Sequence, residues 1–205
     1  MASLKEKGRH TNAKDFWIIC RVKHEENDIW FGIKGMSSKK SHAPLHEDYL
    51  NVWKLYPVEV DIHSKSRLLP RAGASTELQD KKIILVGCGS IGSQIAEQLV
   101  SAGVGHLHLV DIDAFQSENL YRHTLNMNFV GANKAFGIAE RLKHDYPYTT
   151  ITWAKGRLLQ LSLDELSSVD LLVIATGSPT DERAFNEKMI KESIRVPAVY
   201  CWLEG

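Results

Sequence analysis

Residues 81–134 constrain the fold more than any other stretch. An apolar run, Ile83-Ile84-Leu85-Val86, passes without a spacer into Gly87-x-Gly89-x-x-Gly92. Ile91, Ile95, Ala96, Leu99 and Val100 then recur at helical spacing, and a second apolar run, Leu107-His108-Leu109-Val110, ends at Asp111. Strand, glycine turn, helix, strand and acid in this order describe a nucleotide-binding βαβ unit. In such a unit Gly87 permits the tight turn, Gly89 lets backbone approach a phosphate, and Gly92 lets helix and strand pack closely. The helix N-terminus then offers unpaired N–H groups and partial positive charge to an anion. Asp111, at the carboxyl end of the second strand, is placed to accept hydrogen bonds from ribose hydroxyls.

The residues beyond Asp111 bear on the chemistry. Asn119 and Arg122 lie three apart and share a face if the segment forms a helical turn. Lys134 follows Gly131 at the start of a further helix, which can return toward the phosphates. Hydride transfer needs no such pair of cations beside a ribose acid. Displacement at a phosphate does, because charge shifts during the reaction and fixed cations stabilise it.

The glycine motif, the run AGVGHLHLVDID (102–113), Asn119-x-x-Arg122 and Gly131-x-x-Lys134 together resemble the adenylation domain of the ThiF/MoeB and ubiquitin-activating-enzyme family. The resemblance runs from about residue 78 to the end of the chain. It implies ATP as cosubstrate and attack on the α-phosphate by the C-terminal carboxylate of a ubiquitin-like protein, giving an acyl-adenylate and pyrophosphate. It implies that Gly87, Gly89, Gly92, Asp111, Asp113 and Asn119 bind the nucleotide, and that Arg122 and Lys134 are catalytic. Homodimers are common in the family, and Arg67 or Arg71 is the counterpart of an arginine extended to the partner's γ-phosphate. The segment ENLYRHTL (118–125), with His123 where many members carry Gln, further resembles the bacterial anti-phage (CBASS-type) conjugation branch. His123 falls on the phosphate side, as a candidate partner for phosphate or ribose. One departure concerns Mg2+. Family members carry an Asp after the fourth strand in a Thr-Asp pair, whereas this chain reads Thr176-Gly177-Ser178-Pro179, a form shared in the bacterial branch. Since magnesium favours carboxylate, water and phosphate oxygens, either Asp181 is the metal ligand or phosphates and water suffice.

The expected architecture is α/β: a Rossmann-like, doubly wound, mainly parallel sheet over residues 76–205, with a small strand-rich N-terminal appendage and linker over residues 1–75. In the appendage, residues 15–22, 29–33 and 56–61 read as strands, 35–48 as a loop and 64–75 as the linker. Trp17, Trp30 and Trp53 read as packing residues. The adenylation unit is expected to continue past Gly205.

Composition sets further bounds. Lys+Arg and Asp+Glu both number 25, so no global field favours nucleic acid or an anionic membrane. No apolar run approaches the roughly 18 residues of a membrane span, and the first residues lack the apolar core of a secretory signal. Three widely spaced cysteines without a CxxC pair fit a reducing cytoplasm and argue against a zinc knuckle. Cys20, Cys88 and Cys201 all read as packing residues. His42 and His46 have zinc-like spacing, but Pro44 disfavours a helix there and no second pair follows. Two other readings remain open at this level: a non-catalytic nucleotide-binding or partner-docking member of the same fold, and an NAD-dependent oxidoreductase.

Overall fold

The computed structural model describes residues 13–24, 28–41, 51–62 and 64–203. Contacts divide the chain into two compact units, one up to residue 63 and one from residue 64 onward.

The first unit is an antiparallel sheet of β1 (Ala13–Val22), β2 (Ile29–Ser41) and β3 (Lys54–Val58), in that spatial order. Its aromatic and β-branched strands suit a pleated, half-buried surface. Phe16 lies over Gly35, where a Cβ would come within 1.7 Å of its ring, and meets Trp53 edge-on at 4.7 Å between centroids. Several expectations fail here. Strand β2 runs on through residues 35–41, expected as loop, because pairing with β1 out to Ala13↔Ser41 satisfies a backbone whose side chains carry no strand signal. Trp17 is 62% exposed and not core, since alternation places it with exposed Ile19 on the outer face, where it carries Lys34 over its ring. Cys20 is only half-buried. The His42/His46 pair lies outside the described residues.

The second unit opens with a helix, α1 (Lys65–Arg71), within the segment read as linker. Pro70 argued for a break, but it falls in the last turn, where the helix is about to end in any case. Then come β4 (Lys82–Val86), α2 (Ser90–Ser101), β5 (His106–Asp111), α3 (Lys134–Asp145), β6 (Thr150–Lys155), α4 (Leu163–Ser167), β7 (Leu171–Ile174), α5 (Pro179–Lys191) and β8 (Ala198–Tyr200). All five strands are parallel, in the order β6-β5-β4-β7-β8. Parallel strands joined by helical crossovers need cover on both faces. Two cores supply it: Leu85, Leu107, Leu109, Ile138 and Leu142 in one cluster, and Ile84, Val86, Leu172, Ile174 and Phe185 in the other. This is the doubly wound architecture the sequence implies. Strand order reverses between β4 and β7, which opens a crevice at their carboxyl ends, where such sheets bind ligands. No helix among the described residues is long and apolar enough to cross a membrane.

Candidate functional site

The crevice is built around the β4–α2 turn. Gly87 has φ +90°, and a Cβ there would stand 2.4 Å from the Ala175 carbonyl oxygen at the end of β7. Gly92 sits 1.8 Å, measured from its would-be Cβ, from the Gly87 carbonyl oxygen. Both glycines are therefore demanded by backbone approach. Gly89 is different: it is the N-cap of α2, and a Cβ there would meet nothing within 4 Å. No side chain caps α2, so its first amides remain unpaired by the helix and face the open space.

Cys88 fixes this turn from two sides. Its N–H donates to Asp111 Oδ2 at 2.5 Å, and its carbonyl accepts from His123 Nε2 at 2.7 Å. His123 Nδ1 in turn accepts from the Leu125 N–H at 3.1 Å, so the proton resides on Nε2. Burial holds the His123 imidazole below its ordinary pKa, which keeps it neutral. Ser90 Oγ adds a further tie, donating to the Arg122 carbonyl at 2.7 Å. His123 thus spends both ring nitrogens on backbone and braces the loop, where the sequence suggested a phosphate or ribose partner. Cys88 itself is fully buried, and burial pushes its thiol pKa well up, as expected of a packing residue rather than a nucleophile.

A cleft of about 950 Å³ opens over the α2 N-terminus. Asn119, Arg122 and Lys134 all line it with Gly89 and Ser90. Asn119 and Arg122 come together because residues Ser117–Arg122 form a 3-10 helix, in which positions three apart eclipse. Asn119 Oδ1 accepts from the Gln116 N–H at 3.1 Å, which leaves the Nδ2 amide as the group it offers a ligand. Lys134 opens α3, capped by Asn133, whose Nδ2 donates to the carbonyls of Asp111 (2.9 Å) and Asp113 (3.1 Å). Lys134 Nζ pairs with Asp113 at 3.2 Å, its side chain largely buried. Arg122 is exposed, and its guanidinium pairs with no acid among the described residues.

A smaller hollow of about 130 Å³ lies on the other side of the turn, lined by Gly87, Asp111, Asp113, Arg157, Leu158, Thr176, Ser178 and Asp181. Asp111 is buried there, and its second oxygen accepts from the Asp113 N–H at 2.7 Å. A carboxylate keeps further lone pairs after two such bonds. Eight of the nine candidate residues therefore fall into two adjoining spaces that share Thr176. The larger space holds the cations and Gly89, and the smaller holds the acids and Gly87. Gly92 is buried beneath the turn. Asp181 faces the smaller hollow, and among the described residues no three His, Cys, Asp or Glu side chains converge to hold a metal.

Sequence reasoning missed one wall of the larger cleft. Pro179, Glu182, Arg183 and Asn186 of α5 line it, with Tyr200 from β8 and then Cys201 and Trp202. Tyr200 Oη donates to Asn186 Oδ1 at 2.6 Å, and burial followed by the Glu182 charge raises the phenol's pKa. Cys201, expected in strand core, lies just past β8 and faces this cleft. The missed signal was spacing: residues 179, 182, 183 and 186 fall on one face of the helix that follows β7.

The family model described as ThiF family matches residues 64–199. Among curated proteins, the ATP-dependent ubiquitin transferase-like protein Cap2 of Escherichia coli (strain TW11681) is 34% identical over 165 residues, 78% of this chain and 27% of that protein. The adenylyltransferase and sulfurtransferase UBA4 of Yarrowia lipolytica is 28% identical over 71% of this chain and 38% of its own length. The chain thus spans well under half of these relatives. Among solved structures, E. coli tRNA N6-threonylcarbamoyladenosine dehydratase TcdA in complex with AMP is 25% identical, with a TM-score of 0.52 over 60% of this chain and 51% of that one. E. coli MccB with ATP shares the fold at 22% identity, with a TM-score of 0.52 over 60% of this chain and 38% of that one.

Proposed function

The chain belongs to the ThiF family, and on that premise we propose that it is the nucleotide-binding part of an ATP-dependent adenylyltransferase acting on a protein C-terminus of the ubiquitin-like kind. The observation that carries this reading is the convergence of an uncapped helix N-terminus, Asn119, Arg122 and Lys134 on one cleft at the sheet's switch point. Cation pairs and bare amides suit a triphosphate, and the adjoining hollow beside Asp111 suits a ribose. The names of Cap2 and UBA4, and the nucleotides bound by TcdA and MccB, point the same way.

In this reaction a carboxylate oxygen of the acceptor's last residue forms a bond to the α-phosphorus. The bond from that phosphorus to the β-phosphate bridging oxygen breaks, and pyrophosphate leaves with the electron pair. Arg122 and Lys134 neutralise charge as it builds on the equatorial and leaving oxygens. The Gly89, Ser90 and Ile91 amides hold the phosphates in place and cost no reorganisation. Magnesium bound with the nucleotide would supply charge neutralisation to its phosphates. The same reading includes a homodimer in a cytoplasmic setting, with Arg67 or Arg71, both exposed four apart on α1, reaching the partner's nucleotide.

Exchange of radiolabelled pyrophosphate into ATP by the intact protein tests the proposal. Acceptor-dependent exchange is expected, falling about a hundredfold or more in Arg122→Ala or Lys134→Ala. Exchange unchanged in those variants removes their roles. Tight ATP binding with no exchange favours a docking member of the fold, and preference for NAD favours an oxidoreductase.

A further inference from the structure

The larger cleft holds one carboxylate among the residues that line it, Glu182, in the same space as Arg122, Lys134 and its helix neighbour Arg183. That carboxylate pairs with none of these cations. Lys134 is taken by Asp113, and Arg183 by Glu187 at 3.5 Å. Glu182 instead accepts from Thr176 Oγ1 at 2.7 Å through Oε1, which fixes its side chain and leaves Oε2 unclaimed among the described residues. The Thr176 bond draws Glu182 back from the first turns of α5 to the end of β7, beside Gly177. Gly177 itself, with φ +62°, offers no side chain, and a Cβ there would meet nothing within 4 Å.

Charge decides what such a carboxylate can do. A triphosphate in the cleft carries several negative charges, and a fixed carboxylate in the same space repels it unless a cation lies between them. Magnesium needs few protein ligands, since one or two carboxylates suffice when phosphates and water complete the octahedron. An oriented Glu182 with a free oxygen meets that requirement. Asp181 lines the other hollow, away from Arg122 and Lys134, and no hydrogen bond orients its carboxylate among the described residues.

We propose that Glu182 is the protein ligand for the divalent cation that bridges to the nucleotide's phosphates, taking the place of the carboxylate that Gly177 lacks. This rests on the ATP-binding reading above.

Calorimetric titration of the intact protein with ATP, in Mg2+ and in EDTA, tests it. In the wild type Mg2+ tightens ATP binding about tenfold, an ordinary size for coupling between two ligands. Glu182→Gln keeps an acceptor for the Thr176 hydroxyl, so the metal-free ATP affinity stays at or slightly above the wild-type value. Its Mg2+ enhancement falls to about twofold or less. Asp181→Asn keeps the full enhancement. Adding Gly177→Asp to Glu182→Gln restores it, because aspartate tolerates the left-handed region. The paramagnetic resonance signal of free Mn2+ follows the same pattern: ATP with wild-type protein depletes it further than ATP alone, and ATP with Glu182→Gln does not. Undiminished enhancement in Glu182→Gln, or its loss in Asp181→Asn, overturns the inference and leaves the ATP reading standing. A wild type that binds no ATP in either condition overturns both.

Discussion

Replacing His123 by alanine removes both of its backbone hydrogen bonds and its ring contact with Phe115, whose centroid lies 4.8 Å away. Each neutral hydrogen bond contributes about 0.5–1.5 kcal/mol and an aromatic pair about as much again. The variant is therefore expected to lose about 2–4 kcal/mol, read as a lower denaturation midpoint at unchanged slope. The same change frees the Cys88 carbonyl, so the next peptide unit can rotate and the Gly89 amide no longer points reliably into the cleft. ATP affinity should fall about tenfold, equivalent to about 1.4 kcal/mol. His123→Gln supplies a side-chain donor in place of the ring N–H and should recover most of the affinity. The pH dependence follows from the depressed pKa. The unfolded chain binds the proton first as pH falls, so the full contribution to stability is present above the ordinary histidine value of about 6.5. It is lost as the pH drops from there through the lower folded-state value. His108 is also held low by burial and acts with the same sign, so the difference between wild type and His123→Gln isolates the share of His123. An alanine variant that keeps stability to within about 0.5 kcal/mol refutes the brace. One that is destabilised yet binds ATP normally refutes its link to the nucleotide.

Gly89→Ala and Gly92→Ala should separate folding from binding. At Gly89 a methyl group meets only open cleft at an ordinary φ, so stability should change by less than about 0.5 kcal/mol while ATP affinity drops at least about tenfold. At Gly92 the same methyl strikes the Gly87 carbonyl, so thermal denaturation should show a loss of more than about 3 kcal/mol. Lys134→Gln keeps a polar partner for Asp113 but loses the charge. It should cost little stability, as one partner is well exposed, while pyrophosphate exchange falls steeply.

The sheet and its glycine turn were legible in the sequence because strand and helix announce themselves by period, and because Gly87 and Gly92 answer to local backbone contacts. Asn119, Arg122 and Lys134 were legible through motif spacing that short helical turns preserve. The α5 wall was not. Glu182, Arg183 and Asn186 share a helix face, but it is the pairing of β7 with β4 that carries this helix to the edge of the crevice. His123 was misread for a related reason: its partners are backbone groups 35 residues away at Cys88 and two away at Leu125, which leave no trace in side-chain pattern. Residues 35–41 lacked strand composition and were carried by their partner strand, and α1 was hidden by Pro70.

The central claim is that one cleft grips a triphosphate, and comparing the affinities of ATP, ADP, AMP and NAD for the intact protein tests it most directly. Affinity should fall stepwise from ATP to ADP to AMP, with NAD weakest, and Arg122→Ala should flatten the series. Equal affinity for AMP and ATP, or preference for NAD, contradicts the assignment of the two cations to the phosphates.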